Sequence, residues 1–289
     1  MPVRRLIFWV SLAMLAFAAN SLLGRLALKH TRIDAASFTA VRLLSGAVML
    51  WAVVLWRRRR SGIDGARPRP GDWRSATALF VYAACFSFAY VGLPAGTGAL
   101  LLFGAVQATM VGHGLWQGER LKPVQWAGLT LALAGLAALV WRSLATPSIS
   151  RALLMLAAGV AWGIYSLRGR RQPAGGRHDP AEASAGHFLR ATPMAVLLGV
   201  VMWPQLSADR AGLAYAAASG AVASALGYLV WYRVLPSMKS THAATVQLSV
   251  PVLAALGGVV LLGEPITSAM VLASVTILGG IALVVKARG

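Results

Sequence analysis

Acidic residues are scarce in this chain. Eight Asp and Glu stand against 27 Lys and Arg among 289 residues, and charged side chains of both signs make up 12% of the sequence. An average soluble domain carries about 25%. Polar stretches are short as well: the longest, RRRRSGIDGARPRPGD at 57–72, is too brief to build a separate soluble domain. One cysteine, Cys85, lies inside an apolar segment, which excludes a disulfide framework and a cysteine-rich metal site. The histidines (His30, His113, His178, His187, His242) are scattered, without metal-site spacing. An integral membrane enzyme would need a nucleophile, base or metal cluster at a common depth, and the sequence offers none, so an enzyme is not expected.

What is abundant is apolar. Hydrophobic residues make up 58% of the chain and the mean hydropathy is +0.68. Runs of about 20 apolar residues, each long enough to cross a bilayer core of roughly 30 Å as a helix, recur along the whole length. The Leu- and Ala-rich composition favours helices over a transmembrane barrel. The expected fold is an all-α integral membrane protein with ten spans, at about 6–28, 34–56, 73–93, 97–117, 123–141, 150–168, 183–203, 211–233, 241–263 and 265–286. Turn and charge signals at 57–72, 168–180 and 204–210 separate them.

A net charge of +19 would suggest nucleic acid in a soluble protein. Here it follows from loop asymmetry instead. With the N-terminus inside, 19 of the 27 Lys and Arg fall on the cytoplasmic side and five on the other, which predicts both termini in the cytoplasm. The first span has Arg4 and Arg5 ahead of it and Ala16-Phe17-Ala18 within it, the pattern of a signal peptide. Its removal would break the internal repeat, so it is read as a true span.

That repeat has an offset of 145 residues. It lays GERLKPVQWAGLTLALAGLAALV (118–140) on GEPITSAMVLASVTILGGIALVV (263–285), and NSLLGR (20–25) on YSLRGR (165–170). Arg42 then pairs with Arg190 if the second half gains three residues. Residues 1–145 and 146–289 thus read as two five-helix repeats. An odd helix number inserts them upside down to each other. Glu119 and Glu264 are twins at helix junctions, where glycine ends one helix and the carboxylate meets the positive start of the next. The expectation for both is a structural bend rather than a proton-carrying site.

The Arg42-Leu43-Leu44 start of helix two, Trp162-Gly163, Gly118-Glu119-Arg120 and the run YRVLPSMKSTHAATVQLSVPVLAALGGVVLLGEPIT (232–267) resemble the drug/metabolite transporter superfamily in its ten-helix EamA type. The resemblance covers nearly the whole chain. The aromatic-rich interior is most similar to amino-acid exporters of the YddG kind. Val106 stands where Pro251 stands in the second half, so any distortion at that proline is one-sided. The resemblance implies alternating access around a central cavity, with no cofactor and no ATP, in a bacterial inner membrane. A small-molecule substrate, an amino acid or similar metabolite, and the lipid bilayer are the implied partners, for a monomer or homodimer. Multidrug or nucleotide-sugar carriage is the alternative within the superfamily.

Inverted-repeat transporters bind substrate near the midplane. Nine of the ten tryptophans fall near span ends, as an aromatic belt requires; Trp162 does not. Trp162 and Tyr165 share a helix face. With Tyr82, Gln107, Asn20, Gln247 and Ser249 they form the candidate binding set, aromatic faces for stacking and amides or hydroxyls for polar ends. Each could instead bond a neighbouring helix. Glu119, Glu264, Pro251, Arg42 and Arg190 are the structural or gating candidates. The two arginines lie within two turns of their helix starts, so snorkelling to headgroups is expected, with recognition of a substrate carboxylate or inter-helix contacts the alternative. All eight acids sit in loops or at span ends, which favours gradient-driven flux over obligatory proton antiport.

Overall fold

A computed structural model describes residues 3–61, 71–118, 122–144, 149–170, 180–237, 246–247 and 249–286. Ten helices run through them: α1 Val3–His30, α2 Ala35–Ser61, α3 Trp73–Tyr90, α4 Ala95–Trp116, α5 Pro123–Leu144, α6 Ile149–Arg170, α7 Pro180–Val201, α8 Arg210–Val234, α9 Ser249–Leu262 and α10 Ser268–Lys286. No strand occurs among the described residues. Six helices (α1, α2, α4, α6, α7 and α8) are long and apolar enough throughout to cross a membrane. The protein is an integral membrane protein. Glu119 lies outside the described residues, as does most of the expected start of the ninth span.

Helix ends are set by local chemistry. Asp72 caps α3 by accepting the Ser75 amide at 2.9 Å, and Asp209 caps α8 by accepting that of Gly212 at 3.1 Å. Asp34 accepts the Ala36 and Ser37 amides at 2.8 and 3.0 Å at the start of α2. Asp34 also takes the Ser207 amide at 2.9 Å, and its own amide donates to the Ser207 carbonyl, strapping the α1–α2 turn to the segment before α8. Partial burial pushes the Asp34 carboxyl up, but these bonds outweigh it and hold it below the ordinary carboxylate value. At the other kind of end, Gly118 and Gly263 close α4 and α9 with φ of 88° and 62°. A side chain would be strained there, so the glycine that precedes each glutamate is a helix terminator, as expected.

The most extensive helix contacts are α5 with α10, α3 with α6, α2 with α7, α4 with α6, α2 with α8, α4 with α9, α3 with α7, and α1 with α8 and α9. Advancing every helix number by five turns this set largely into itself: α1–α9 becomes α6–α4, α1–α8 becomes α6–α3, and α2–α8 becomes α7–α3. The paired small residues of α6 serve this packing. A methyl group on Gly159 would meet the Leu102 carbonyl of α4 at 2.4 Å, and one on Gly163 would meet Thr109 at 2.9 Å.

One departure from regular helix positions the centre. Within α8, Ser219–Leu226 is a π-helix. Such widened turns are uncommon and frequently mark functional sites. The segment packs against α1 and α2. Gly220 lets it come so close to α2 that an added methyl would sit 2.0 Å from the Arg42 carbonyl oxygen and 2.1 Å from Ser45 Oγ. Neither backbone can yield cheaply, so Gly220→Ala should destabilise the protein by about 2 kcal/mol. Gly199→Ala, where nothing lies within 4 Å, should leave the melting temperature unchanged. Thermal melts of the two purified variants check this; equal melting temperatures would contradict it.

Candidate functional site

The interior is organised around Trp162 of α6, which is 5% exposed. Its ring packs at 4.7 Å from Tyr228 (α8), 5.0 Å from Tyr82 (α3), 5.6 Å from Tyr165 and 6.1 Å from Phe17 (α1). Rings at these separations contribute stacking and edge-to-face attraction beyond the area they bury. Between them lies a small pocket. The first half of the chain supplies Phe17, Asn20, Tyr82, Leu102 and Phe103, and the second half supplies Trp162, Ala223 and Tyr228. The space left is enough for about one water molecule, so a larger ligand requires these side chains to part.

A polar network backs one wall of the pocket. Asn20 donates from Nδ2 to the Tyr82 hydroxyl at 3.1 Å and accepts at Oδ1 from Ser219 Oγ at 2.7 Å. The Tyr82 oxygen also accepts from Arg42 Nη2 at 2.9 Å, while Arg42 Nε reaches Ser224 Oγ at 3.3 Å. Both serines belong to the π segment. Arg42 is 1% exposed, and its guanidinium stacks over Tyr82 and Phe86 at 5.0 and 4.6 Å. All of its partners are neutral. Among the described residues, neither its Nη1 nor the Tyr228 hydroxyl, both buried, has a hydrogen-bond partner.

Arg42 therefore does not snorkel. It starts about 10 Å into α2 by helix rise, and the side chain turns inward because Tyr82, Ser224 and Phe86 together receive it. Arg190 behaves differently: half-buried, it bonds the Gly186 carbonyl at 3.2 Å and lies over Trp73 at 5.6 Å.

Ion pairs tie the bundle at its two ends. At the end where α9 stops and α4 starts, Glu264 is 7% exposed. It accepts Arg25 Nε at 2.9 Å on one oxygen and the Ala95 amide at 2.7 Å on the other. Arg25 also donates to the Tyr90 and Val91 carbonyls at 3.0 and 3.2 Å. One carboxylate thus joins α1, the end of α3, the start of α4 and the end of α9. Glu264 does mark a bend, but a buried and paired one. At the opposite end, Arg168 holds Asp72 at 2.7 Å and Arg58 holds Glu182 at 2.7 Å. Burial opposes ionisation of Asp72, yet its bonds to Ser75 and the Arg168 guanidinium keep the carboxyl well below its ordinary value. His187 lies between that carboxylate, at 3.4 Å, and the Tyr165 hydroxyl, at 3.2 Å.

Of the residues singled out in the sequence, Trp162, Tyr82 and Asn20 line the pocket, and Tyr165 packs on Trp162 from the Asp72 end. Gln107 and Gln247 are buried but do not line it. Ser249 is exposed and bonds the Val246 carbonyl at 2.7 Å. Pro251 is buried within α9. Trp231 is a correction to the aromatic belt: it is 4% exposed and packs on Phe17 at 5.9 Å. Nothing in the sequence marks Phe17, Tyr228, Ser219 or Ser224. Arg25 was legible in principle, because the offset that matches Glu264 to Glu119 also matches Arg25 to Arg170.

Comparison with known proteins places these features. The model of the EamA-like transporter family matches twice, at residues 4–141 and 149–286. An uncharacterized protein of Pseudomonas aeruginosa is 56% identical over 288 residues, covering 100% of this chain and 97% of its own length. The threonine/homoserine exporter RhtA of Salmonella typhimurium is 28% identical over 279 residues, covering 93% and 89%. A solved crystal structure at 22% identity superimposes with a TM-score of 0.65, over 95% of this chain and 96% of that one, which shows a shared fold.

The two kinds of end contact differ in worth. The Arg25–Glu264 side chains are each 6% exposed, whereas those of Arg58 and Glu182 are 23% and 19% exposed. Removing one partner of a buried pair leaves the other charge uncompensated, at about 3–5 kcal/mol, while a pair nearer solvent is worth about 1 kcal/mol or less. Glu264→Gln should therefore lower the melting temperature several times more than Glu182→Gln. Equal losses in a thermal-melt comparison would contradict the central place given to Glu264.

Proposed function

The chain belongs to the EamA-like transporter family, and from that premise we propose that it is a secondary exporter of small metabolites, amino acids foremost, and not an enzyme. The observation that carries this reading is the pocket around Trp162, whose walls come from both repeats. A site shared in this way is remade whenever the repeats move against each other, as alternating access requires. The near-closed space around Trp162, with ion pairs at both ends of the bundle, suits a form between the two open ones. The exporter named among the relatives acts on threonine and homoserine, which points to the same substrate class here.

Two inverted five-helix repeats, with both termini in the cytoplasm of a bacterial inner membrane, are the topology that serves this mechanism. The loop charge asymmetry and the exchange of helix contacts on advancing by five support it. None of the pocket's lining residues is acidic. Flux driven by the substrate's own gradient, without ATP and without obligatory proton antiport, follows from that composition.

Proteoliposomes holding the full chain test the proposal. Saturable uptake of labelled phenylalanine or threonine is expected, competed by other amino acids and unchanged when the pH gradient is removed at a fixed substrate gradient. Trp162→Ala and Tyr82→Ala should each reduce it about tenfold or more, in protein that still reconstitutes. Uptake equal to empty liposomes for both amino acids would overturn the substrate class. Collapse with the pH gradient would overturn the coupling.

A further inference from the structure

Two orphaned donors beside one pocket ask for an acceptor. Arg42 Nη1 and the Tyr228 hydroxyl are buried without a hydrogen-bond partner among the described residues. Tyr228 and Tyr82 line the pocket, and Arg42 stands directly behind Tyr82, bonded to its hydroxyl. Each described acid is engaged elsewhere: Asp34 and Asp209 in caps at one end, Asp72 with Arg168, Glu182 with Arg58, and Glu264 with Arg25. The guanidinium is thus a buried cation whose contacts are all neutral (two hydroxyls and two aromatic faces). A charge so placed is costly until an anion meets it.

We propose that Arg42 and Tyr228 are the carboxylate-recognition point of this site, so that its ligands are small organic monocarboxylates whose apolar part stacks on Trp162. This rests on the transport reading for the site but makes a separate claim about chemistry. The pocket now holds space for about one water, so binding displaces side chains. Moving the Tyr82 hydroxyl off Nη2 frees both terminal nitrogens of Arg42. They form the fork that a carboxylate accepts in two parallel bonds. The Tyr228 hydroxyl supplies a third donor. An amino acid's ammonium finds no acid among the lining residues and faces the rings of Trp162 and Tyr228, a weaker attraction. The carboxylate therefore decides recognition, and cationic amines that lack one are rejected. Ser224 holds the stem of the guanidinium in place, while Asn20, itself held by Ser219, bonds the Tyr82 hydroxyl in the unliganded form.

The test separates this claim from the transport reading by measuring binding without flux. The purified full chain in nanodiscs is titrated, with thermal stabilisation as readout, against three probes. These are phenylalanine, its amide (ammonium kept, carboxylate lost), and 3-phenylpropionate (carboxylate kept, ammonium lost). Phenylalanine and phenylpropionate should bind within a few-fold of each other, and the amide at least about tenfold more weakly, the cost of one lost charge-assisted contact. Arg42→Gln should bring acid and amide within about twofold. Tyr228→Phe, which keeps the ring packing, should weaken the acids several-fold and leave the amide unchanged. The wild-type comparison stands even if Arg42→Gln fails to fold. Amide binding as tight as the acids, or no stabilisation by either acid, would overturn the proposal. Discrimination by Arg42 in a protein that moves no amino acid into liposomes would sustain it and remove the amino-acid reading instead.

Discussion

A hydrocarbon solvent accepts no unpaired polar group cheaply, and this bundle buries two arginines in opposite ways. Arg25 is paired: a carboxylate on Nε and two carbonyls on Nη1 make it a fixed joint between helices of both halves of the chain. Arg42, just as buried, has hydroxyls and ring faces but no counter-charge among the described residues, and one of its nitrogens has no partner there. The first arrangement holds a structure in place. The second is stable only because the surrounding packing compels it, which is the condition expected of a group kept ready for a ligand.

The packing that compels it can be traced. Gly220 lets α8 press against the backbone of α2 at Arg42. The π-helical turn around it brings the Ser219 and Ser224 hydroxyls to bear, one on Asn20 and the other on Arg42 Nε. Asn20 and Arg42 then share the Tyr82 oxygen, and Tyr82 leans on Trp162. The Gly220–Arg42, Ser219–Asn20, Ser224–Arg42 and Tyr82–Trp162 links join one half of the chain to the other, so a change in how the halves meet is felt at the guanidinium and at the pocket together. A transport cycle needs this coupling between site and scaffold.

Much of the scaffold was legible in the sequence because long apolar runs and charged loops are dictated by the bilayer itself. The helix terminators Gly118 and Gly263 announced themselves through the 145-residue repeat, since a left-handed turn admits little else. Trp162, Tyr82 and Asn20 stood out as amphipathic residues where the interface could not explain them. The rest was hidden for physical reasons. Tyr228 and Trp231 lie close to a helix end, where an aromatic residue reads as belt; only tertiary packing on Phe17 shows them to be interior. Arg42 looked able to reach the headgroups, and the direction its side chain takes is decided by α3 and α8, far away in sequence. Ser219 and Ser224 gain meaning only from a π turn, which has no periodic signature. Gln107 and Gln247 show the converse: polar and buried, yet set apart from the pocket.

The most direct measurement is an experimental structure of the full chain in a lipid nanodisc at saturating phenylalanine. The expected density lies against the Trp162 ring, with the carboxylate within hydrogen-bond distance of Arg42 Nη1 and the Tyr228 hydroxyl, and with Tyr82 displaced. A ligand found elsewhere, or one in this pocket whose carboxylate points away from a guanidinium still bonded to Tyr82, would contradict the central claim.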